Sequence, residues 1–422
     1  MSRGSRRTMA TALCVLLTSC LAGRVGPVPW STSLPPVADF GPGFVASEPT
    51  RPPEERGDGR PEGLAASGGY GYLGVGHRIW VVDLQQAQGP TLAGRTPPLA
   101  QRVGPMLWSN GSLYVTLRGL TRQPAPGAPT EVAPGLRQLA AERQREPDAV
   151  AVFDLGQPSV PRLRGRSAQA MHTVMDLVAI RDELFVFGAP QGAGDGAANT
   201  LSITPDGVDH PPTGPSLYDS LPFTDVTLVS DRLYTTYGRV LTLDLKADAI
   251  AQDALATAIT SHLGREDWMT TSVTDATSST LAIVVAVGGS YSPVQPQFEA
   301  LLAINLATST DPVILPGSLT NAQNTVASLE VDGQRLFTLQ RDHGCALHAY
   351  DLANTLTHRG SVALPTDEMC GGGLHFLPDE GQRIAVTRDS ILIGYDPKAA
   401  YVVDVASLDR PVVTGRIALD DW

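Results

Sequence analysis

Four stretches of this chain share one construction: "VVDLQQAQGPTLAG", "VFDLGQPSVPRLRG", "AINLATSTDPVILPG" and "VVDVASLDRPVVTG". In each, an apolar strand ends in Asp or Asn, and a proline seven positions later begins another strand. The pairs are Asp83 and Pro90, Asp154 and Pro161, Asn305 and Pro312, Asp404 and Pro411. Two degenerate copies keep the aspartate, at Asp244 and Asp351, with His358 where the second proline would stand. Such spacing marks an internal repeat, which limits the chain to architectures that stack equal units. At a strand end Asp and Asn accept hydrogen bonds from the following turn, and proline fixes the start of the next strand. The repeated aspartates are therefore read as structural, since one station in six repeats would not converge on a single ligand.

Upstream of each copy lies a second recurring unit of strand, tight polar turn and strand: "LWSNGSLYVTL", "LVAIRDELFVFG", "VTLVSDRLYTTYG", "LEVDGQRLFTLQ" and "LHFLPDEGQRIAVT". The Asn-Gly and Asp-Gly pairs suit two-residue hairpins, and alternating apolar residues flank nearly all of them. Each full unit is a four-stranded meander. Marking the first turn of each at Gly68, Gly111, Asp182, Asp231, Ser279, Gly333 and Gly381 gives a period of about 50 residues, with 71 in the second unit. Four strands at that period predict an all-β fold, a β-propeller of seven four-stranded blades over residues 62–422; linear β-solenoids repeat at shorter intervals.

The repeat of strand, Val-Val-Asp, turn, proline, strand and glycine resembles the LVIVD-type repeats of bacterial surface propellers. The likeness is good in units one and seven, fair in two, five and six, and poor in three and four. It implies an extracytoplasmic propeller, without an agreed activity to carry over.

The N-terminus points to the same compartment. "MSRGSRRTMATALCVLLTSC" has a basic start and an apolar run from Met9 to Leu17, which is the pattern of a secretory signal and short for a membrane span. Leu17-Thr18-Ser19-Cys20 resembles the bacterial lipobox, implying a signal peptide of residues 1–19 and acylation (palmitate) at Cys20. Leu21, where an inner-membrane lipoprotein carries aspartate, favours the outer membrane, with the protein facing the periplasm or the cell surface. Residues 20–61 are crowded with Pro, Gly, Ser, Glu and Arg and read as a disordered tether. The net charge of −12 becomes more negative once Arg3, Arg6 and Arg7 leave with the signal. Such a surface repels nucleic acid, so membrane attachment falls to the lipid anchor.

In a propeller blade with strands A to D running outward, the B–C loops and the D-to-A connections share one face. The largest insertion, residues 121–148, falls in the B–C position of blade two, and "APQGAGDGAAN" and "GGSYSPVQPQ" fall at the same station of blades three and five. Cys345 and Cys370 map to that face in neighbouring blades, and an oxidising envelope favours a disulfide between them. Asp342, His343 and His375 lie around the pair as candidate binding-face residues. Their spacing matches no zinc motif, so no metal is assigned. Calcium-loop, nucleophile-elbow and phosphate-loop patterns are absent, and no catalytic residue or cofactor is assigned. The expected function is a non-enzymatic binding or scaffold lipoprotein that uses its B–C face on an envelope protein or polysaccharide. The alternative is a propeller hydrolase or lyase acting on an envelope polymer or small lactone, with His343 or His172 among carboxylates near the central channel.

Overall fold

The computed structural model describes residues 61–419, apart from 87–88, 120–145, 168–169, 190–196, 205–206, 210–224, 230–231, 238, 245–248, 251–253, 277–278, 288–297, 307–311, 318, 323–325, 341–343, 367–369, 371–382 and 397. Within these residues 29 strands form antiparallel sheets, each drawn from one continuous piece of chain. The first sheet is β1 (Pro61–Ser67), β2 (Tyr70–Val75), β3 (Arg78–Asp83) and β4 (Thr91–Arg95). The second is β5 (Arg102–Ser109), β6 (Ser112–Arg118), β7 (Ala149–Asp154) and β8 (Arg162–Arg166). The third is β9 (Thr173–Ile180), β10 (Glu183–Ala189), β11 (Ala197–Thr204) and β12 (Gly207–Asp209); the fourth is β13 (Asp225–Val229), β14 (Arg232–Tyr237), β15 (Arg239–Asp244) and β16 (Ala249–Ile250).

A helix, α1 (Ala254–Leu263), precedes the fifth sheet, which is β17 (Trp268–Ala276), β18 (Thr280–Val287), β19 (Phe298–Asn305), β20 (Val313–Ile314) and β21 (Leu319–Ala322). The sixth is β22 (Val326–Asp332), β23 (Arg335–Gln340), β24 (Ala346–Asp351) and β25 (Thr357–Ala363). The seventh is β26 (Ile384–Val386), β27 (Ser390–Ile393), β28 (Ala399–Asp404) and β29 (Val412–Ala418). The innermost strands β1, β5, β9, β13, β17, β22 and β26 adjoin one another in turn, and β26 returns to β1, so the sheets close a ring. This is an all-β propeller.

The expectation of seven four-stranded blades is corrected: six sheets have four strands, and the fifth sheet has five. There β20 and β21 both pair with β19, at Asn305 and Ile304 and then at Leu301 and Glu299. The chain between them holds Pro316, which lacks a ladder N–H, and Gly317 at a φ of 83°. Together these residues interrupt the outer edge. Two sequence markers also shift. The first turn of the seventh sheet is Thr387–Asp389 and not Gly381, which lies outside the described residues. His358 does not occupy the proline station: the sixth sheet's C–D turn is shorter, Leu356 precedes β25, and His358 is already inside that strand. β1 begins at Pro61, the last residue expected in the tether.

Both faces of each sheet are covered by neighbours, so both alternating sets of side chains are buried. In β3, Ile79 and Val81 pack into the junction with the second sheet while Trp80 and Val82 pack into the junction with the seventh. That is why the third strands read as unbroken apolar runs, "IWVV", "VAVF" and "YVV", and only end in a polar residue.

The repeat motif has a physical explanation. Asp83, Asp154, Asp351 and Asp404 each end a third strand, and one carboxylate oxygen accepts the N–H two residues on, from Gln85, Gly156, Ala353 and Ala406, at 2.8–3.0 Å. Pro90, Pro161, Pro312 and Pro411 immediately precede the outer strands. The motif's glycine sits at a β-bulge in that strand: Gly94, Gly165, Gly360 and Gly415 each flank a register shift. A Cβ on Gly94 would lie 2.7 Å from the carbonyl oxygen of Ser159, one on Gly360 2.7 Å from that of Leu408, and one on Gly415 2.1 Å from the Pro90 ring. Gly94, Gly360 and Gly415 therefore make room for the C–D turn of the next sheet around the ring. A bulge also spoils the exposed outer edge as a template for pairing with another chain.

Candidate binding face

The strand assignments place the three expanded stretches between β6 and β7, β10 and β11, and β18 and β19, the B–C station in each case. In the first sheet the same station is only Gly76-His77. The expanded segments 120–145, 190–196 and 288–297 lie outside the described residues, as do Cys20, Asp342, His343 and His375. What is described is the floor from which these loops rise.

Two constructions hold that floor. The first is the disulfide Cys345–Cys370, with Cα atoms 5.1 Å apart. Cys345 precedes β24, in the B–C connection of the sixth sheet, and Cys370 follows β25, in the connection to the seventh. The bond thus joins the two kinds of connection expected to share a face. Both cysteines are buried among Phe337, Leu339, Ile384 and Tyr401. Beside it, in the B–C connection of the seventh sheet, buried Asp396 accepts the Tyr401 hydroxyl at 2.8 Å, the Thr366 hydroxyl at 3.1 Å and the Lys398 N–H at 2.8 Å. Burial first, and then the neighbouring Asp396, push the Tyr401 phenol above its usual range.

The second construction stands at the root of the largest insertion. Asp148, fully buried, accepts from Gly119 N–H at 2.7 Å, Arg118 Nη1 at 3.1 Å and Val174 N–H at 2.8 Å. Arg118 also donates to the Val174 carbonyl at 2.7 Å, and its Nε lies 3.7 Å from Glu62, which Arg102 pairs from the other side. Where the chain leaves the sheet and where it returns are thereby bound to each other and to the third sheet. A paired buried carboxylate of this kind costs about 3–5 kcal/mol to orphan. In the sequence Asp148 stands out only as the end of an insertion; the signal for the clamp is one Asp and one Arg beside the two ends of a long loop.

The inner strands carry two more carboxylates at equivalent stations, paired opposite Ala282 and Phe337 respectively. Asp275 accepts the Val331 N–H at 2.6 Å, and Glu330 accepts the Val386 N–H at 3.4 Å. Each ties one inner strand to the next. Burial raises the Asp275 carboxyl to about 7. Among the described residues no three His, Cys, Asp or Glu side chains come together in a way that could hold a metal ion. His172, the other channel-side candidate, immediately precedes β9, in the connection from the second sheet.

Trp268 serves packing: its ring N–H donates to the Thr260 hydroxyl at 2.9 Å, and it is buried against Leu255 and Ile259 of α1. The helix has a local sequence signature. Leu255, Ala256 and Ile259 follow a helical stripe, and Gly264, with a φ of 65°, closes it.

No family model matches the sequence, and no curated protein matches it. Solved structures do match in shape. A hypothetical selenium-binding protein from Sulfolobus tokodaii aligns at a TM-score of 0.50 and 9% identity, over 81% of this chain and 87% of that one. A putative 6-phosphogluconolactonase from Bacteroides uniformis aligns at 0.49 and 11%, over 81% and 92%, and AztD from Citrobacter koseri at 0.44 and 12%, over 85% and 86%. At such identities the likeness extends to the fold alone.

Proposed function

We propose that this chain is an LVIVD-like β-propeller lipoprotein of the bacterial outer membrane. Cys20 carries the acyl anchor, residues 20–61 form the tether, and the propeller acts as a non-enzymatic module that binds an envelope protein or polysaccharide through its B–C face. The observation that carries the reading is the placement of all three expanded segments at one station of an otherwise economical repeat, where Gly76-His77 shows how little the fold needs. Loops raised on a rigid scaffold are where binding resides. The clamp of Arg118, Gly119 and Asp148 at the root of the longest loop supports it, because a merely tolerated insertion needs no buried ion pair at its base. The lipobox and signal pattern support the location.

The test keeps the clamp and removes the loop. Residues 121–145 are replaced by a Gly-Ser turn, with Gly119 and Asp148 retained. The melting temperature should stay nearly unchanged while the detergent-solubilised protein loses what the wild type captures from envelope extract. Unchanged capture by the trimmed chain, with loss on altering the A–B turns of the opposite face, rejects the face. For the anchor, a palmitate analogue should label the wild type and leave Cys20→Ala unlabelled and absent from the membrane fraction.

A further inference from the structure

The sixth sheet departs from the repeat at one pair of stations. In the sheets that carry the bulge, the register sets Val82 opposite Leu92, Phe153 opposite Leu163, Val403 opposite Val413 and Tyr350 opposite His358. Two residues before the first member of each pair stand Trp80, Ala151, Tyr401 and His348. Apolar or aromatic side chains therefore meet the needs of the fold at these stations, and the sixth sheet alone among the four places histidine at both. The bulge makes the juxtaposition. Skipping Arg359 sets His358 opposite Tyr350, and so onto the face that His348 shares with Tyr350.

His348 Nδ1 lies 3.3 Å from His358 Nε2, with ring centroids 5.4 Å apart and planes at 50°. The Tyr350 ring meets His358 edge-on at 5.2 Å, which restrains the imidazole. His358 is exposed and His348 half-buried, so the pair opens outward.

We propose that His348 and His358 form a binding site for a zinc-type divalent cation on the outer part of the sixth sheet. Zinc to imidazole nitrogen is about 2.0–2.1 Å, so two nitrogens on a tetrahedral ion stand about 3.3 Å apart, matching the observed separation. A square-planar ion would draw them to about 2.9 Å. Without metal, one of the facing nitrogens carries the proton of an N–H···N bond. On binding, both present lone pairs, and the ring that held the proton keeps one on its other nitrogen. Among the described residues no third His, Cys, Asp or Glu completes the set. The described residues thus leave two coordination positions for water or a further donor, which makes this an open site of moderate affinity. The inference stands apart from the proposed partner-binding face.

The experiment is calorimetric titration of the chelator-stripped full chain with zinc chloride, with cobalt spectra as a second readout. One zinc per chain is expected, lost in His348→Gln and in His358→Leu, and retained when His343 and His375 are both changed to Gln. Leucine is chosen because it occupies the His358 station in the first and second sheets, so the fold should persist, and an unchanged metal-free melting temperature checks this. Cobalt should give the intense visible bands of a tetrahedral ion. Zinc uptake unaffected by either variant of the pair overturns the proposal. So does loss confined to the His343 and His375 variant, which would put the ion on the insertion face.

Discussion

The junction between the sixth and seventh sheets and the junction between the seventh and first use different means to the same end. The former has apolar packing plus added links: the Cys345–Cys370 bond, the two-pronged Arg359–Asp409 pair at 2.8 and 3.1 Å, Arg335 on the Arg388 carbonyl, and Glu330 on the Val386 N–H. The latter, where the two ends of the described chain meet, is an apolar interface of Leu64, Leu73, Trp80, Leu392, Val402 and their neighbours. Among the described residues each sheet is continuous in sequence, so none lends a strand across the closure. The contrast teaches that this ring is sealed by buried area and close approach. A Cβ on Gly71 would lie 2.5 Å from Leu392, and one on Gly415 2.1 Å from Pro90. The connection into the last sheet is meanwhile tied covalently to the sixth sheet through Cys345–Cys370. Apolar packing is what the described residues bring to this closure, where only a sheet-to-sheet contact is needed.

The sharpest way to break this contrast is Leu392→Ala. The side chain is fully buried at the closure, and a cavity there should cost about 2–5 kcal/mol in urea denaturation. A loss under 1 kcal/mol would mean that the closure is not held by this packing.

Replacing Cys345 and Cys370 by Ser removes a link across 25 residues and should cost about 3 kcal/mol. Reduction with dithiothreitol should lower the wild-type stability toward that of the double variant and leave the variant unmoved. Nonreducing peptide maps should show the linked pair.

Gly415→Ala should cost about 1–3 kcal/mol through overpacking against Pro90. Limited proteolysis should then nick the seventh sheet sooner, whereas an unchanged digest would show that the turn simply yields.

The smallest effect belongs to Arg359→Ala. Its side chain is 39% exposed and Asp409 is 58% exposed, so solvent screens the pair and the urea midpoint should hardly move, and move less still in high salt.

Much of the ring was legible because its physics is local and repeated. Asp404 caps a turn, Pro411 starts a strand and "YVV" alternates between two covered faces; each follows from neighbours within a few residues. The features that the sequence does not show depend on more distant chain. Thr387–Asp389 forms the seventh sheet's first turn, although the "DEGQ" stretch offers the stronger local turn signal. Counting seven positions from Asp351 puts His358 at the proline station, because the count cannot register a shortened turn. Of the face, the stations of the insertions and the cysteine pair were readable, since strand order fixes them. The clamp by Asp148 was not, because its partners Arg118 and Val174 lie 30 and 26 residues away.

The sequence by itself determined the unit: strands of period two, turns set by Asn, Asp, Gly and Pro, and a repeat too long for a solenoid. Only the tertiary structure decided how units meet. The motif's glycine is needed because the next sheet's turn arrives beside it, and the sheet count of strands changed where Pro316 and Gly317 split an outer edge. The two histidines of the sixth sheet share a face because a bulge skips Arg359. These outcomes rest on close approaches and register, which are properties of packed neighbours and leave no periodic trace in the chain.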